Sequence, residues 1–447
     1  MSRSSTYSPI SVPARRAVYL SRGVALAVEL PYGSGLTVFR GSPLAKIEST
    51  QTLAPPFSAW GRLAANSTAH MVEHLFNGVI AVILPLITTS LGLSLAQAGA
   101  LVSARTMMAG AASFPSGFFA DLASRRNLFL GLCLGMIGLS CLGLSAAWSF
   151  PVLLMFMALS GAGGGGFHPQ SLAILSATYR EKRAFVLGIH DSSANLGEVI
   201  GPLALGLLIT FVDWRTALQI WAIPGLAIGL LYALLGAEDG IAAPHRRDYR
   251  RALWEDVLKN KTVFSLVAVS TLRAMGQTAL SAFLPLYLSL HLKLSAGAAG
   301  AYMALLYLFA GVAPAFVGWI SDRFGHKNLI AAFSVSSVGV IVAIAHLGSG
   351  PLLAVALSAL GVFLWALRPV VVTAAMEAAP QNLAGSIVAV LYGANMGVSF
   401  LAPLMAGLIA DAYGLPAALL TIAAFPLLAA VVMILLFKPT RNLRAKE

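Results

Sequence analysis

Charge is what this chain has least of. Only 10% of its 447 residues are Asp, Glu, Lys or Arg, against 58% hydrophobic residues and a mean hydropathy of +0.82. A water-soluble domain carries about 25% charged residues. This apolar content exceeds what a soluble core can hide, so lipid must be the solvent. Cysteine is nearly missing as well. Cys133 and Cys141 are the only two and share one apolar segment, which excludes a disulfide framework or a cysteine metal site and leaves two small packing residues. No metal and no cofactor is assigned. Acid is scarcer than base, 17 residues against 29, for a net charge of +12. Such an excess can mark a nucleic-acid binder, but the positions of these charges argue against it.

Long apolar runs are what the chain does have. Segments of about 20 apolar residues, enough to cross a bilayer, fall near 69–90, 96–119, 128–148, 151–177, 185–211, 216–236, 262–289, 297–320, 329–348, 351–375, 385–410 and 415–437. The expected fold is therefore all-α and polytopic, with 12 transmembrane helices. The longest polar interruption divides them six and six. The expected organisation is a disordered N-terminal extension (1–67), a first bundle (68–236), a central loop (237–261), a second bundle (262–437) and a tail (438–447).

Lys and Arg in the loops set the orientation. The side that holds the N-terminus, the central loop and the tail also receives Arg125, Arg126, Arg180, Lys182, Arg183, Arg323 and Lys327. The opposite side receives only Arg215 and Lys293. Both termini are thus expected in the cytoplasm, and the protein in a bacterial inner membrane. The basic residues are a topology signal and a contact for anionic lipid, not a nucleic-acid surface. Residues 1–67 lack the apolar core of a signal peptide. A start codon placed too early and a transit peptide are the alternatives to a disordered extension. The "NST" at Asn66 sits on the cytoplasmic side and is discounted as a glycosylation site.

The two halves repeat. "LPLITTSLGLSLAQAG" at 84–99 returns as "LPLYLSLHLKLSAGAAG" at 284–300, and "GFFADLASRRN" at 117–127 as "GWISDRFGHKN" at 318–328. "ANLGEVIGPLALG" at 194–206 returns as "ANMGVSFLAPLMAG" at 394–407. In the same register His168-Pro169 matches Arg368-Pro369, Glu73 matches Arg273 and Asn77 matches Gln277. An ordered series of this kind means duplication, with two six-helix bundles around a shared cavity.

On these residues the chain resembles the major facilitator superfamily of transporters over 69–437. The loops after spans 2 and 8 carry that family's G-x-x-x-D-x-x-x-[RK]-[RK] pattern, as Gly117, Asp121, Arg125 and Arg126, and as Gly318, Asp322, Arg323, His326 and Lys327. Glycine allows two helices to approach, and an aspartate between a helix end and cations can latch the bundles in one state. "TAHMVEHLFNGVIAVILPLI", "GGGGFHPQS" and "SANLGEVIGPL" are most similar to the fosmidomycin-resistance-type efflux branch. They differ from it at Glu73-His74, where Asn-Asp is usual, and at Gln170. The resemblance implies alternating access, monomeric function, and a cavity lined by spans 1, 4, 7 and 10.

An ionisable group inside a span costs about 2.5 kcal/mol or more, so it marks a partner or an aqueous cavity. Arg105, Glu198 and Arg273 fall near mid-span. An arginine fork suits carboxylate, phosphonate or phosphate, so Arg105, Arg273 and Arg368, with Asn77, Gln277 and His168, are the expected substrate contacts. Glu198 is the expected proton carrier, assisted by His168 and Asp191. Permanent Arg–Glu pairing is the structural alternative. His190 and Asp191 sit near the end of span 5, and Glu73 and His74 are expected to be shallower still and solvated. In "LSGAGGGGFHPQS", Pro169 cannot donate to the helix, so a bend beside a glycine run is expected, with His168 placed at the cavity. No G-K-[ST] follows these glycines, which excludes a phosphate-binding loop. Gly197, Gly201 and Gly206 form a small-residue stripe around Pro202 that seals or packs helices.

The function expected is proton-coupled secondary transport that exports a small anionic or amphiphilic molecule. Import of an organic anion by proton symport is the alternative. An enzyme is not expected. His190 and Asp191 are adjacent and so point about 100° apart on a helix, and no nucleophile motif accompanies them.

Overall fold

The computed structural model describes residues 25–27, 38–40, 59–123, 126–179, 182–234, 260–378 and 384–437. Two short strands, Ala25–Ala27 and Val38–Arg40, pair antiparallel and belong to a unit of their own, Met1–Ala54. All else described is helical and belongs to the second unit, Pro55–Glu447.

Twelve helical spans follow, separated by turns wherever the connection is described. The first bundle comprises α1 (Ala59–Ser90), α2 (Leu95–Ala123), α3 (Arg126–Ala146), α4 (Phe150–Thr178), α5 (Arg183–Leu208) and α6 (Trp214–Leu234). The second begins with α7 (Lys261–Leu286), whose last turn widens into a π-turn at Tyr287–His291, then α8 (Ala296–Phe324) and α9 (His326–His346). Span α10 is broken into Pro351–Leu360, a π-turn at Gly361–Trp365, and Arg368–Glu377. Span α11 joins Ala384–Ser399 to Leu401–Tyr413, and α12 joins Leu415–Ile422 to Ala424–Leu435. Ten helices among the described residues are long and apolar enough to cross a membrane. The other two, α2 and α5, carry the polar runs around Arg105 and around His190 to Glu198. The twelve-helix expectation holds for the second unit.

The local chemistry explains the helix starts. Asn260 caps α7 by accepting from the Thr262 and Val263 amides at 3.0 and 3.3 Å, and Ser295 caps α8 through the Ala298 amide at 3.3 Å. Asp213 caps α6, accepting from the Arg215 and Thr216 amides and the Thr216 hydroxyl. These donors hold its carboxyl below the usual carboxylate range. Large apolar side chains such as Leu207, Leu230 and Phe316 point outward with 61–62% exposure, as helices facing lipid require.

The halves meet through two related helix pairs. On the α2/α11 pair a Cβ on Gly99 would stand 2.3 Å from the Pro403 carbonyl oxygen, and one on Gly407 would stand 2.6 Å from that of Leu95. On the α5/α8 pair a Cβ on Gly300 would stand 2.4 Å from the Pro202 oxygen, and one on Gly206 3.0 Å from that of Ala296. Only glycine permits these approaches. All four lie at the end of the bundle opposite the start of α1. Asp411 adds to this closure by accepting from the Leu95 and Ala96 amides at 2.7 and 2.9 Å, which caps α2 from the other half. Along α5 and α8 toward the other end, Gly311 still touches Asn195, whereas Gly188 and Gly318 have open space where a Cβ would be. Glycine-mediated approaches therefore pinch the halves together at the end opposite the start of α1, and Gly188 and Gly318 make none at the other end.

Candidate functional site

Several ionisable side chains of the first half converge from α1, α4 and α5. In α1, His70, Glu73, His74 and Asn77 follow a spacing of three or four residues and so share one helix face. His74 Nδ1 lies 3.0 Å from Glu198 Oε1 on α5, and its Nε2 lies 3.3 Å from Glu73 Oε2. His168 Nε2 on α4 lies 3.6 Å from the same Glu73 oxygen. His70 Nδ1 meets the His190 backbone carbonyl at 2.9 Å, and the two rings stack with centroids 3.9 Å apart. His190 Nε2 in turn meets the Ser171 hydroxyl at 3.2 Å.

Glu73 and His74 are not shallow and solvated. Glu73 is 2% exposed and His74 is largely buried. The reason is that α1 begins at Ala59, ahead of its apolar run, so Glu73 lies about 21 Å along the helix at 1.5 Å per residue. His190, expected near the helix end, is likewise fully buried. His70 escaped attention at the sequence level. The signal was there in H-x-x-E-H, whose spacing places all three side chains on one face.

The glycine run on α4 makes this convergence possible. A Cβ on Gly161 or Gly165 would stand 2.0 Å from the Arg105 or Ala109 carbonyl oxygen of α2, while Gly163 and Gly166 press on Cys133 of α3. Gly164 faces the cluster, and a Cβ there would lie 2.7 Å from Glu73 Oε1. The helix assignment runs through Pro169 without interruption. The glycines serve close packing on three sides. Both cysteines are buried packing residues.

The remaining expected contacts are divided between the halves. Arg105 donates to Asn77 Oδ1, and Glu198 pairs with His74, so the direct Arg105–Glu198 pair weighed from sequence is not what forms. On the second half Arg273 is buried and donates to Gln277 Oε1 at 2.6 Å, and Gln277 donates to the Leu364 carbonyl at 3.2 Å. Arg368 opens the helix after the π-turn and is solvent-exposed. It lies within electrostatic reach of Tyr392 on its own half and of His74, His168, Asp191 and Glu198 on the other. Asp191 itself is exposed. Tyr307 on α8 is in reach of both Glu198 and Arg105. Tyr307 and Tyr392 were not singled out from sequence, since a tyrosine in an apolar span carries no distinguishing pattern.

The stripe on α5 packs α1. A Cβ on Gly197 or Gly201 would stand 2.3 or 2.6 Å from the Met71 or Leu75 oxygen, and Pro202 lies against Gly78. In the loop motif of the second half, Lys327 donates to the Ile434 and Phe437 carbonyls at 3.1 and 3.0 Å and so caps the end of α12. His326 Nε2 lies 3.2 Å from Glu377 Oε2. Asp322 and Arg323 are exposed, and Gly318 makes no close approach in this arrangement. In the first half Arg126 is buried, while Arg125 and the side chains of Gly117 and Asp121 lie outside the described residues, as do most of the central loop and the whole tail.

These features have counterparts among known proteins. An uncharacterised MFS-type transporter, YfnC of Bacillus subtilis (strain 168), is 24% identical over 374 residues, covering 82% of this chain and 90% of that protein. The fosmidomycin resistance protein of Escherichia coli (strain K12) is 24% identical over 370 residues, covering 79% and 87%. Among solved structures, a bacterial homologue of the human lysosomal transporter Spinster, inward-facing and unoccupied, superposes with a TM-score of 0.74 at 18% identity, covering 88% of this chain and 99% of that one. A mutant of the nucleoside transporter NupG also reaches 0.74, at 13% identity and with coverage of 84% and 100%. These likenesses agree with the twelve-helix fold. A sequence model of the Major Facilitator Superfamily matches residues 67–403, and the chain belongs to that superfamily of membrane transporters.

Proposed function

We propose that this transporter is proton-coupled and exports a small anionic or amphiphilic molecule through the cavity between its halves, from a bacterial inner membrane with both termini in the cytoplasm. The observation that carries the coupling is the position of Arg368. It is exposed and lies within electrostatic reach of the Glu198–His74 pair and of His168 on the first half. An anionic substrate on the Arg368 fork, backed by Arg273 and Gln277, competes with Glu198 for that positive charge. A carboxylate that loses its counter-ion holds a proton more readily. Substrate and proton occupancy are thereby linked through one half-buried carboxylate, and Asp191 and His168 relay the proton in this reading. The export direction is supported by similarity to the fosmidomycin resistance protein.

A specific observation also favours the second reading, uptake by symport. An anion beside Glu198 promotes protonation, so direct electrostatics makes the two bind together rather than exclude each other. One measurement separates the readings. Proteoliposomes with an imposed pH gradient and an entrapped pH dye are given phosphonates, carboxylates and lipophilic cations in turn, for the wild type and Glu198→Gln. Gradient dissipation by an anion, absent in the variant, is the expected result, and the sign of proton movement distinguishes antiport from symport. Dissipation by lipophilic cations alone, or an unaltered variant, would overturn the Arg368–Glu198 mechanism.

A further inference from the structure

From the geometry of the first-half cluster we infer that His70, Glu73, His74 and His168 bind a divalent first-row transition-metal ion of the zinc class. This goes beyond the transport mechanism above and does not depend on it.

Each of these residues offers one ligand atom, and the four atoms all lie within 4.8 Å of one another. Zinc with bonds of about 2.0–2.1 Å places tetrahedral ligand atoms roughly 3.4 Å apart. The contraction required is the scale of a side-chain torsion, and the Glu73–His74 and Glu73–His168 separations of 3.3 and 3.6 Å already match it.

A second observation points to a ligand at this place. Glu73 Oε2 is buried and makes no hydrogen bond, although two imidazole nitrogens are near it. A buried carboxylate oxygen left in this way carries a large desolvation cost. A cation bound between that oxygen and the imidazoles removes it.

Two of the three histidines have the outer partners a metal site needs. A ligating histidine holds its other ring nitrogen on a carbonyl or carboxylate, which fixes the tautomer and aims the free lone pair. His70 Nδ1 is held by the His190 carbonyl, leaving Nε2 free. His74 Nδ1 is held by the Glu198 carboxylate, leaving Nε2 on the Glu73 side. Three imidazoles with one carboxylate suit zinc, nickel, cobalt or copper(II), whereas magnesium and calcium take oxygen sets. Gly164 keeps the space that the Glu73 carboxylate fills.

The test uses the full chain, purified in detergent without a polyhistidine tag and stripped with chelator. Titration with Zn²⁺ is expected to give one tight site per chain, with Mg²⁺ giving none. Glu73→Gln and His168→Ala are each expected to weaken Zn²⁺ binding by about 100-fold or more, and Glu198→Gln by about 10- to 100-fold, as outer-shell changes do. Binding that is absent in the wild type, or unchanged in Glu73→Gln, would overturn the proposal. Should the variants fail to fold, X-ray absorption at the zinc edge of the wild type decides the matter. Three imidazoles are expected, and fewer than two would overturn it. Failure here leaves the proton-flux assay untouched, because that assay is read without added metal.

Discussion

The two walls of the cavity stand at matched positions of a duplicated chain and carry opposite chemistry. Where the first half has Glu73, Asn77 and His168, the second has Arg273, Gln277 and Arg368. The helix geometry around them diverges as well. Gly161 and Gly361 make the same approach, to the Arg105 oxygen on α2 and the Leu306 oxygen on α8, with added Cβ atoms at 2.0 and 2.3 Å. One turn later Gly165 lies against the Ala109 backbone, whereas its counterpart Trp365 closes a π-turn and packs edge-on against Tyr307. At this turn α4 keeps a glycine against α2, whereas α10 carries a tryptophan within its π-turn. Duplication thus supplied one scaffold, and substitution at equivalent sites gave one half a histidine–carboxylate cluster and the other a pair of arginines with a glutamine.

The comparison is broken most completely at the anchor. Arg368→Ala is expected to reduce anion-driven proton flux in proteoliposomes by about 100-fold or more, on the scale of losing one hydrogen-bonded charge partner. Arg368→Lys should restore only part, because a point charge replaces a planar fork. Equal flux in Arg368→Ala and wild type would remove the asymmetry from the mechanism. Next in size is the glycine approach. Gly161→Val places carbon against the α2 backbone and is expected to destabilise the protein by about 1–3 kcal/mol, seen as a lower unfolding temperature in detergent. Gly318→Ala, with open space around it, should leave that temperature unchanged. If both behaved alike, the packing account of α4 would fail. The smallest effect is expected at the pinched end. Asp411→Ala removes the cap on α2 and should weaken that closure by about 0.5–2 kcal/mol. Cysteine labelling of residues near Leu95 and Gly407 would report it as faster modification, and an unchanged rate would count against a latch.

Much of this was legible in the residues because lipid imposes simple rules. Apolar runs of bilayer length had to become helices, since no other open structure satisfies the backbone in hydrocarbon. The repeat could be read because close contacts between α2 and α11, and between α5 and α8, need small residues at fixed places. Individual roles were read less well. Arg105 and Glu198 both sit at mid-span, and depth alone allowed them to pair, but rotation about the helix axis sends one to Asn77 and the other to His74. Glu73 was misjudged because hydropathy marks where a helix becomes apolar, not where it begins. Asp411 was overlooked because its partners are amides of the other half, and no local pattern announces a cap supplied from so far along the chain.

Sequence by itself determined that this protein spans a membrane twelve times, that it is a duplicated chain of the major facilitator superfamily, and which few ionisable groups must find partners or water. Hydrophobicity and helical periodicity are local properties, and they suffice for that. Only the tertiary structure decided that ligand atoms of His70, Glu73, His74 and His168 come together within 4.8 Å, that Glu198 pairs with His74, and that Arg368 lies within electrostatic reach of His74, His168 and Glu198 from the other half. Those relations depend on helix rotation and on approaches of a few ångström between distant segments, which packing settles and no single stretch of the chain encodes.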